Sequence, residues 1–556
     1  MSNLKKTCSI FAVIIYTFII LIPLILAFYR LISVTGFNPL NWFNSLENNY
    51  ISQNILQFTI VQAFFSTILT LLIGIPIAWM LGRYKWPAES LIRTLLTLPF
   101  VIPAIIAAMG ILTIIGPHGL NIRANENTWW WSLIISHAWF NMALIIRFCE
   151  PVLSTLDPHL EEQLRLLPNG RTRYSRFRNL WLPLLTPSIL AAACMTFVFS
   201  FTSFALVRWI TIGNESLESM MATISSSAGI KGYMEFTSEM VLGASIIQFS
   251  ILLISLWITS LIQRNRQAKL PQGNIKYVRK SKPFGWLIII PAIIFALLPL
   301  ISVFLGSFRI REPEENRIVF RWGLEGWEEA WNGSYSFPPL NDALMNSIGY
   351  AIITLCISLP LGYSLASTIN NLNKKHKKLS QLLDIFTMLP FALSAAMIGL
   401  GVLLGIIKLD LNLTNKFWAL PVLAHVMLTT PFVVRIMLPA LRALDPIYFE
   451  NAEVLGIKEW DRFFKIKLPM LKGSIIISII FTLAMSLGEF GASFIVARNS
   501  DWVTLPVLID AWRSKPMKDP FSGPASNAVA TVLMGLTIFL FMFAEKFRTN
   551  KDGGMF

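Results

Sequence analysis

Two stretches of the chain, SHAWFNMALIIRF at 136–148 and AHVMLTTPFVVRI at 424–436, share one layout. Each places a histidine in an apolar segment, His137 in the first and His425 in the second, with an arginine ten residues later. The two histidines lie 288 residues apart. Matching residues at a fixed separation are typical of an internal repeat. The chain is therefore predicted to consist of two similar halves.

Further motifs recur in the same order at nearly the same separation, which argues against a chance match. Repeated halves are common in transporters, whose pathway lies between the repeats. Each half is predicted to contain an even number of membrane-spanning helices. The two halves then have the same orientation in the membrane, and an axis along the membrane normal relates them. The matching segments are Leu98-Pro99-Phe100 with Leu389-Pro390-Phe391, Leu156-Asp157-Pro158 with Leu444-Asp445-Pro446, and Gly170, Phe177, Leu182-Pro183 and Phe204 with Gly456, Phe463, Leu468-Pro469 and Phe490.

The composition identifies a membrane protein. Of the 556 residues, 54% are hydrophobic and only 14% charged, and the mean hydropathy is +0.60. The apolar residues come in blocks of about 20, the length at which one helix crosses a bilayer. These features exclude an ordinary soluble enzyme, a disordered chain and a disulfide scaffold. The predicted spans are 8–30, 58–82, 91–115, 129–149, 184–212, 240–262, 284–307, 345–368, 380–407, 417–440, 471–497 and 527–545.

The net charge of +15 is explained by the distribution of the basic residues. If the N-terminus lies in the cytoplasm, the cytoplasmic segments hold about two thirds of the 46 Lys and Arg residues, as the positive-inside rule requires. Both termini are therefore expected in the cytoplasm, and the chain is expected in the cell (inner) membrane as a multi-pass protein. The charge is topological, so membrane lipid is an expected partner and nucleic acid is not.

The predicted domains follow the repeat. A first half covers 1–263, a basic cytoplasmic linker covers 264–283, and a second half covers 284–556. Within these halves no phosphate-binding G-x-x-x-x-G-K-[ST] loop or catalytic motif occurs, and the four cysteines form no C-x-x-C or Cys/His cluster. We expect a chain that is not an enzyme and binds no metal or other cofactor.

The loop after the fourth span of the second half reads ENAEVLGIKEWDRFFKIKLPMLKGS from Glu450 to Ser474. Residues on either side of Gly456 suit two short helices, and glycine can take the positive φ that turns the chain sharply between them. Such a unit on the basic face would form a compact docking surface. A partner that moved it would displace the attached spans as rigid bodies.

This loop resembles the EAA loop of binding-protein-dependent ABC import permeases, in which E-A-A-x-x-x-G precedes a second helix and Leu-Pro. Asn451 replaces the first alanine of that motif. The first half has a degraded copy, EEQLRLLPNGRTRYSRFRNLWLPLLTP at 161–187, with Pro168-Asn169 where helix-forming residues are expected. Coupling through this copy is the less secure expectation. The coupling residues implied are Glu450, Ala452, Leu455, Gly456, Phe463, Leu468 and Pro469 in a loop at about 441–470, and Gly170, Phe177, Leu182 and Pro183 in a loop at about 150–183.

The fused layout, Ser486-Leu487-Gly488-Glu489-Phe490-Gly491 and Thr504-Leu505-Pro506 are similar to the thiamine and iron(III) permease branch. The resemblance implies an all-α membrane protein of about twelve transmembrane helices, arranged as two tandem six-helix type I permease halves. It also implies an ABC ATPase subunit in two copies, which holds ATP and Mg²⁺, and an extracytoplasmic substrate-binding protein. The solute would move by alternating access, with thiamine favoured over iron(III). The alternatives are an ion-coupled secondary transporter and, more distantly, a channel.

Charged residues inside spans are functional candidates because they are costly in a bilayer. Glu489 either lines the pathway and attracts a cationic solute, or is paired with an arginine or capped by backbone donors. Arg208 either partners Glu489 between the halves or extends to the outer surface. Phe490 and its repeat counterpart Phe204 are the aromatic candidates, suited to a cation–π contact. For His137 and His425, helix–helix hydrogen bonding is favoured over ligand binding.

Overall fold

The computed structural model describes residues 2–47, 54–116, 126–155, 158–167, 172–211, 213–226, 234–264, 279–280, 283–314, 317–334, 337–409, 416–445, 447–497, 500–515 and 519–547. Gly170 and most of the 264–283 linker lie outside these ranges.

The first half is helical, as its apolar blocks predict. Its helices are α1 (Ser2–Thr35), α2 (Pro39–Glu47), α3 (Ile55–Arg83), α4 (Glu89–Val101), α5 (Ala104–Ile115), α6 (Glu126–Thr155), α7 (Pro158–Leu166), α8 (Arg173–Arg176), α9 (Leu182–Phe201), α10 (Ala205–Ile210), α11 (Leu217–Ser226) and α12 (Met234–Arg264).

The second half begins with α13 (Trp286–Gly306) and repeats this pattern after an inserted hairpin. Its further helices are α14 (Glu325–Asn332), α15 (Leu340–Lys375), α16 (Lys377–Thr387), α17 (Ala395–Leu409), α18 (Leu420–Arg442), α19 (Ile447–Val454), α20 (Glu459–Asp461), α21 (Leu468–Met470), α22 (Lys472–Leu487), α23 (Gly491–Val496), α24 (Leu505–Ser514) and α25 (Ser522–Phe547).

Two small sheets complete the fold. Strands β1 (Tyr84–Lys85) and β2 (Arg279–Lys280) pair in parallel, and β3 (Arg309–Glu314) pairs antiparallel with β4 (Arg317–Trp322). Short 3₁₀ turns lie at Pro283–Gly285, Leu389–Ala392 and Ser500–Trp502.

The all-α membrane fold is confirmed, and two of the predicted spans are broken or shortened. Within the described ranges, nine helices are long and apolar enough to cross a membrane, or up to eleven if each bent pair is one span. The predicted span 91–115 bends by 97° between α4 and α5, and the predicted span 380–407 retains only the shorter apolar helix Ala395–Ile407. Prolines cause the first break, since Pro103 cannot donate the backbone hydrogen bond that a continuous helix needs.

The first helix of each half packs against the other half. Helix α1 lies on α17, where a Cβ added to Gly405 would stand 3.2 Å from the Pro23 backbone. Helix α13 lies on α5, where a Cβ added to Gly110 would stand 2.5 Å from the Pro299 carbonyl oxygen. The two largest buried clusters accordingly draw side chains from both halves. The halves are therefore intertwined rather than placed side by side.

Candidate functional site

The fifth span of each half is broken at the same repeat position. Helix α9 ends at Phe201 and α10 starts at Ala205, while α22 ends at Leu487 and α23 starts at Gly491. Where the two breaks meet, Phe204 and Phe490 stack with ring centroids 5.0 Å apart and planes inclined by 16°. Both side chains are buried. The structure thus brings two of the predicted pathway residues together as a closed aromatic pair between the halves.

A third ring, which the sequence reasoning missed, completes this group. The Phe494 centroid lies 5.5 Å from that of Phe204 and 5.6 Å from that of Phe490. Phe494 belongs to α23, one helical turn after Phe490, so it faces the same side. We call Phe204, Phe490 and Phe494 the aromatic gate.

Glu489 is held beside the gate by hydrogen-bond donors of α23. The Ala492 and Ser493 backbone amides each donate to its carboxylate at 2.8 Å, and the Ser493 hydroxyl donates at 2.8 Å. The His425 Nε2 atom lies 3.5 Å from the same carboxylate. Carboxylates are stabilised at helix N-termini because the first amides point at them. Of the two sequence interpretations, capping by backbone donors is the arrangement observed.

Both repeated histidines make hydrogen bonds between helices, as predicted. His425 Nδ1 lies 2.8 Å from Ser486 Oγ, and its Nε2 lies 2.9 Å from Ser493 Oγ. His137 Nδ1 lies 3.0 Å from Ser66 Oγ. The two rings therefore join spans within their own halves.

Of the two interpretations of Arg208, pairing with Glu489 is not observed. The guanidinium donates to Asp510, from Nε to Oδ1 at 2.7 Å and from the terminal nitrogen to Oδ2 at 3.1 Å. Trp209 Nε1 donates to the same carboxylate at 2.9 Å. The Arg208 Cζ atom also lies 4.6 Å from the Phe494 ring centroid. A charged pair thus links α10 of the first half to α24 of the second, directly beside the aromatic gate.

A second buried carboxylate, Glu218, also links the halves. It lies on α11, accepts from Gln248 Nε2 at 2.6 Å, and accepts from the Ala396 amide at the start of α17 at 2.8 Å. Glu218 is only 1% exposed. Sequence reasoning missed it because hydropathy placed 213–239 in an outer loop, where an acidic residue is unremarked. Its position in the motif Glu215-Ser-Leu-Glu218, between two apolar spans, was the available signal.

The coupling loop of the second half forms the expected sharp turn. Gly456 has a φ of +70°, and the Ile457 amide donates to the Ala452 carbonyl at 3.0 Å, which closes the end of α19. Ala452 is buried, whereas Val454 and Leu455 are 88% and 76% exposed. The end of α19 therefore presents two adjacent exposed apolar side chains, and the coupling role of this loop stays a prediction.

In each copy of the loop a π-helical turn contains the motif phenylalanine and directly precedes the Leu-Pro pair. This turn covers Phe177–Trp181 in the first half and Arg462–Lys467 in the second. The Leu182 amide donates to the Phe177 carbonyl, and the Leu468 amide donates to the Phe463 carbonyl. The proline that follows each leucine would clash with a carbonyl four residues back in an α-helix, and the wider turn relieves this. The repeated motif therefore encodes a repeated backbone feature.

Each motif phenylalanine also contacts the second span of its own half. The Phe463 ring lies 6.1 Å from Tyr363 on α15, and the Phe177 ring lies 6.2 Å from Trp79 on α3. Arg83 of α3 lies 4.1 Å above the Trp181 ring. Both loops are therefore packed against a long span of their own half.

The degraded first copy presents apolar side chains at the matching place. Leu166 and Leu167 are 85% and 54% exposed at the end of α7, 288 residues before Val454 and Leu455. In the second copy, exposed Asp461 is paired with Lys465, whose hydrogen bond lowers the pKa of Asp461 from its usual value. Among the described residues no group of three or more His, Cys, Asp or Glu could hold a metal ion.

Comparison with known proteins gives matches over most of the chain. The model of the family described as binding-protein-dependent transport system inner membrane component matches residues 74–267 and 358–547. The thiamine transport system permease protein ThiP of Haemophilus influenzae is 23% identical over 96% of each chain. The protein of the same name from Escherichia coli is 21% identical over 91% of this chain and 92% of its own. The sulfate transport system permease protein CysT of Escherichia coli is 32% identical, over 29% of this chain and 60% of its own.

Proposed function

Because the chain belongs to the family of binding-protein-dependent transport system inner membrane components, we propose that the solute it moves is thiamine. The chain is a multi-pass permease subunit of an ABC importer. The observation that supports thiamine is the match to relatives named as thiamine permeases along nearly the whole chain, whereas the matches to sulfate permeases cover 29% and 35% of it.

The chemistry of the site suits the same solute. Thiamine is an aromatic cation, and the aromatic gate offers ring faces for cation–π contact worth about 0.5–2 kcal/mol. Glu489 and Glu218 are carboxylates buried beside or near the gate, while the positive charge of Arg208 is neutralised by Asp510. A pathway with these groups favours a cation over an anion such as sulfate.

Permeases of this family work with an ATPase and a substrate-binding protein. We propose that two ATPase copies bind this chain, one at Val454 and Leu455 and one at Leu166 and Leu167. The ATPase subunits, not the permease, would bind ATP with Mg²⁺ and hydrolyse the ATP. Movement of each loop would reach α15 or α3 through its phenylalanine and would part the aromatic gate.

The orientation of the chain is a further proposal, with both termini and the linker in the cytoplasm. A reporter fused after Lys282 is expected to read cytoplasmic, and one placed between Glu312 and Trp331 to read external, because the basic segments are retained inside. Alkaline phosphatase and fluorescent-protein fusions measure this directly. The reverse pattern would overturn both the orientation and the placement of the coupling loops.

The solute is tested by uptake of labelled thiamine in cells that carry the whole transporter. Wild type should take up thiamine, and Glu489→Gln should lower uptake about tenfold, equivalent to about 1.4 kcal/mol, by removing one buried charge near the pathway. Glutamine keeps the shape of the side chain and an acceptor for one of the Ala492 and Ser493 amides, so the variant should fold.

The matched control is Glu328→Gln, which removes an exposed acid of α14. It should transport like wild type. Uptake of iron(III) or sulfate without thiamine would exclude the proposed solute, and wild-type thiamine uptake by Glu489→Gln would leave Glu489 a purely structural role.

A further inference from the structure

A group of buried polar residues occurs twice in the protein, once in each half. In both copies three helices each supply two polar residues spaced four apart, which places the pair on one helix face. We call the groups the first and second polar clusters, and all twelve members are at most 4% exposed. They are Gln62, Ser66, His137, Asn141, Thr196 and Ser200 in the first cluster, and Tyr350, Thr354, His425, Thr429, Thr482 and Ser486 in the second.

In the first polar cluster the hydrogen bonds converge on Ser200 of α9. Gln62 Nε2 of α3 donates to the Ser200 carbonyl at 2.8 Å, and Asn141 Nδ2 of α6 donates to the Ser200 hydroxyl at 3.2 Å. The carbonyl of Ser200 can only accept, so the Gln62 amide nitrogen must face it and the amide oxygen must point away. The cluster therefore joins α9, the helix that ends at the aromatic gate, to two long spans.

Four buried polar atoms of this cluster have no partner within the described part of the chain. They are Gln62 Oε1, His137 Nε2, Asn141 Oδ1 and Thr196 Oγ1. Gln62 and Asn141 both reach Ser200, Thr196 lies one turn before it on the same face, and His137 lies one turn before Asn141. A buried polar group without a partner costs about 1–3 kcal/mol. Four unpartnered atoms within one cluster indicate a bound partner that is not protein.

The second polar cluster satisfies its histidine with protein atoms, although the buried Thr354 and Thr482 hydroxyls have no partner within the described part of the chain. His425 is bonded through both ring nitrogens, to Ser486 and to Ser493. The residue of the first half that matches Ser493, 286 positions earlier, is Val207. A valine offers no hydrogen bond, which explains why His137 Nε2 lacks the partner that His425 Nε2 has.

We propose that the first polar cluster is a binding site for one ordered water molecule. Water can donate twice and accept twice, which matches two amide oxygens as acceptors and two groups, the Thr196 hydroxyl and protonated His137 Nε2, as donors. Ser66 then donates to His137 Nδ1, which sets the tautomer. No carboxylate belongs to the cluster, so a neutral ligand fits it better than a metal cation.

The proposal gives the two gate helices different attachments. Helix α9 is tied to α3 and α6 partly through water, which can exchange its hydrogen bonds at little cost. Helix α22 is tied to α18 by direct bonds. This inference does not depend on the solute.

Radiolytic hydroxyl-radical labelling of the assembled transporter in lipid tests the site, because radicals formed at a bound water oxidise adjacent side chains. His137 should be labelled several-fold faster than His425, although both are 1% exposed. Thr196→Val, nearly the same in shape, removes one partner of the water and should slow His137 labelling. Thr482→Val, the matching change in the second cluster, should leave it unchanged.

A cryo-EM map sharp enough to show ordered waters gives an independent measurement. Density is expected within hydrogen-bonding distance of Gln62 Oε1 and Asn141 Oδ1 in wild type. Equal labelling of the two histidines, or a map with no density at that place, would overturn the proposal. Since neither measurement uses transport, a wrong solute would leave both unaffected.

Discussion

Gly456→Pro is expected to abolish ATP-driven uptake while the permease still inserts and assembles. Gly456 has a φ of +70° and its amide donates to the Glu453 carbonyl at 3.0 Å. Proline fixes φ near −65° and has no amide proton, so it can adopt neither feature. The turn that presents Val454 and Leu455 to the ATPase would be lost. The measurement is solute uptake together with ATP hydrolysis by the purified complex.

Gly456→Asn is the matched control, since asparagine tolerates the left-handed region better than other side chains and should retain most of the uptake. Glu450→Lys, which reverses an exposed charge on the same loop, should also lower uptake strongly. The corresponding change at Gly170 should be milder, because that copy departs from the motif. Uptake by Gly456→Pro equal to wild type, at equal expression, would remove the coupling role of the loop.

Asp510→Asn is expected to raise ATP hydrolysis in the absence of the substrate-binding protein. The bond between Arg208 and Asp510 joins the halves beside the aromatic gate, so its loss should favour the parted gate. Breaking a fully buried pair costs about 3–5 kcal/mol. Because the Arg208 side chain is 24% exposed, a smaller effect is expected, about tenfold in rate or about 1.4 kcal/mol.

The exposed pair of Arg321 and Glu312 on the β3–β4 hairpin supplies the control. Both side chains are more than 40% exposed, so Glu312→Gln should change neither hydrolysis nor uptake. The double variant Arg208→Asp with Asp510→Arg should restore part of the dependence on the binding protein, because it rebuilds the link with reversed charges. An unchanged basal rate in Asp510→Asn would exclude this pair as a lock on the gate.

Local signals in the sequence predicted what depends on local chemistry. The duplication follows from residues repeated at a fixed separation, and the helical class follows from apolar blocks about 20 residues long. The repeat identified Phe204 and Phe490 as counterparts, but their stacking was found only in the structure. The backbone conformation at Gly456 follows from glycine alone, since few other residues take that φ at low cost.

Contacts between distant residues were not predictable in the same way. Arg208 and Asp510 are 302 residues apart, and nothing near either residue specifies the other. Hydropathy measures apolar content but not chain direction, so the breaks after Phe201 and Leu487 stayed hidden inside apolar segments. Glu218 was missed for a different reason, because hydropathy assigned the helix that carries it to a loop between two apolar segments.

The crossed first helices also set an order for the biogenesis of the protein. Helix α1 rests on α17, and the contact of Pro23 with Gly405 joins residues about 380 positions apart, so α1 lacks its partner while most of the chain is still being synthesised. At about 5–20 residues per second this delay lasts some tens of seconds. Until their partner helices have been synthesised, α1 and α5 expose their unpaired faces to lipid and to quality-control proteases. Fusion of the two halves in one polypeptide ensures that the missing partner always arrives from the same ribosome.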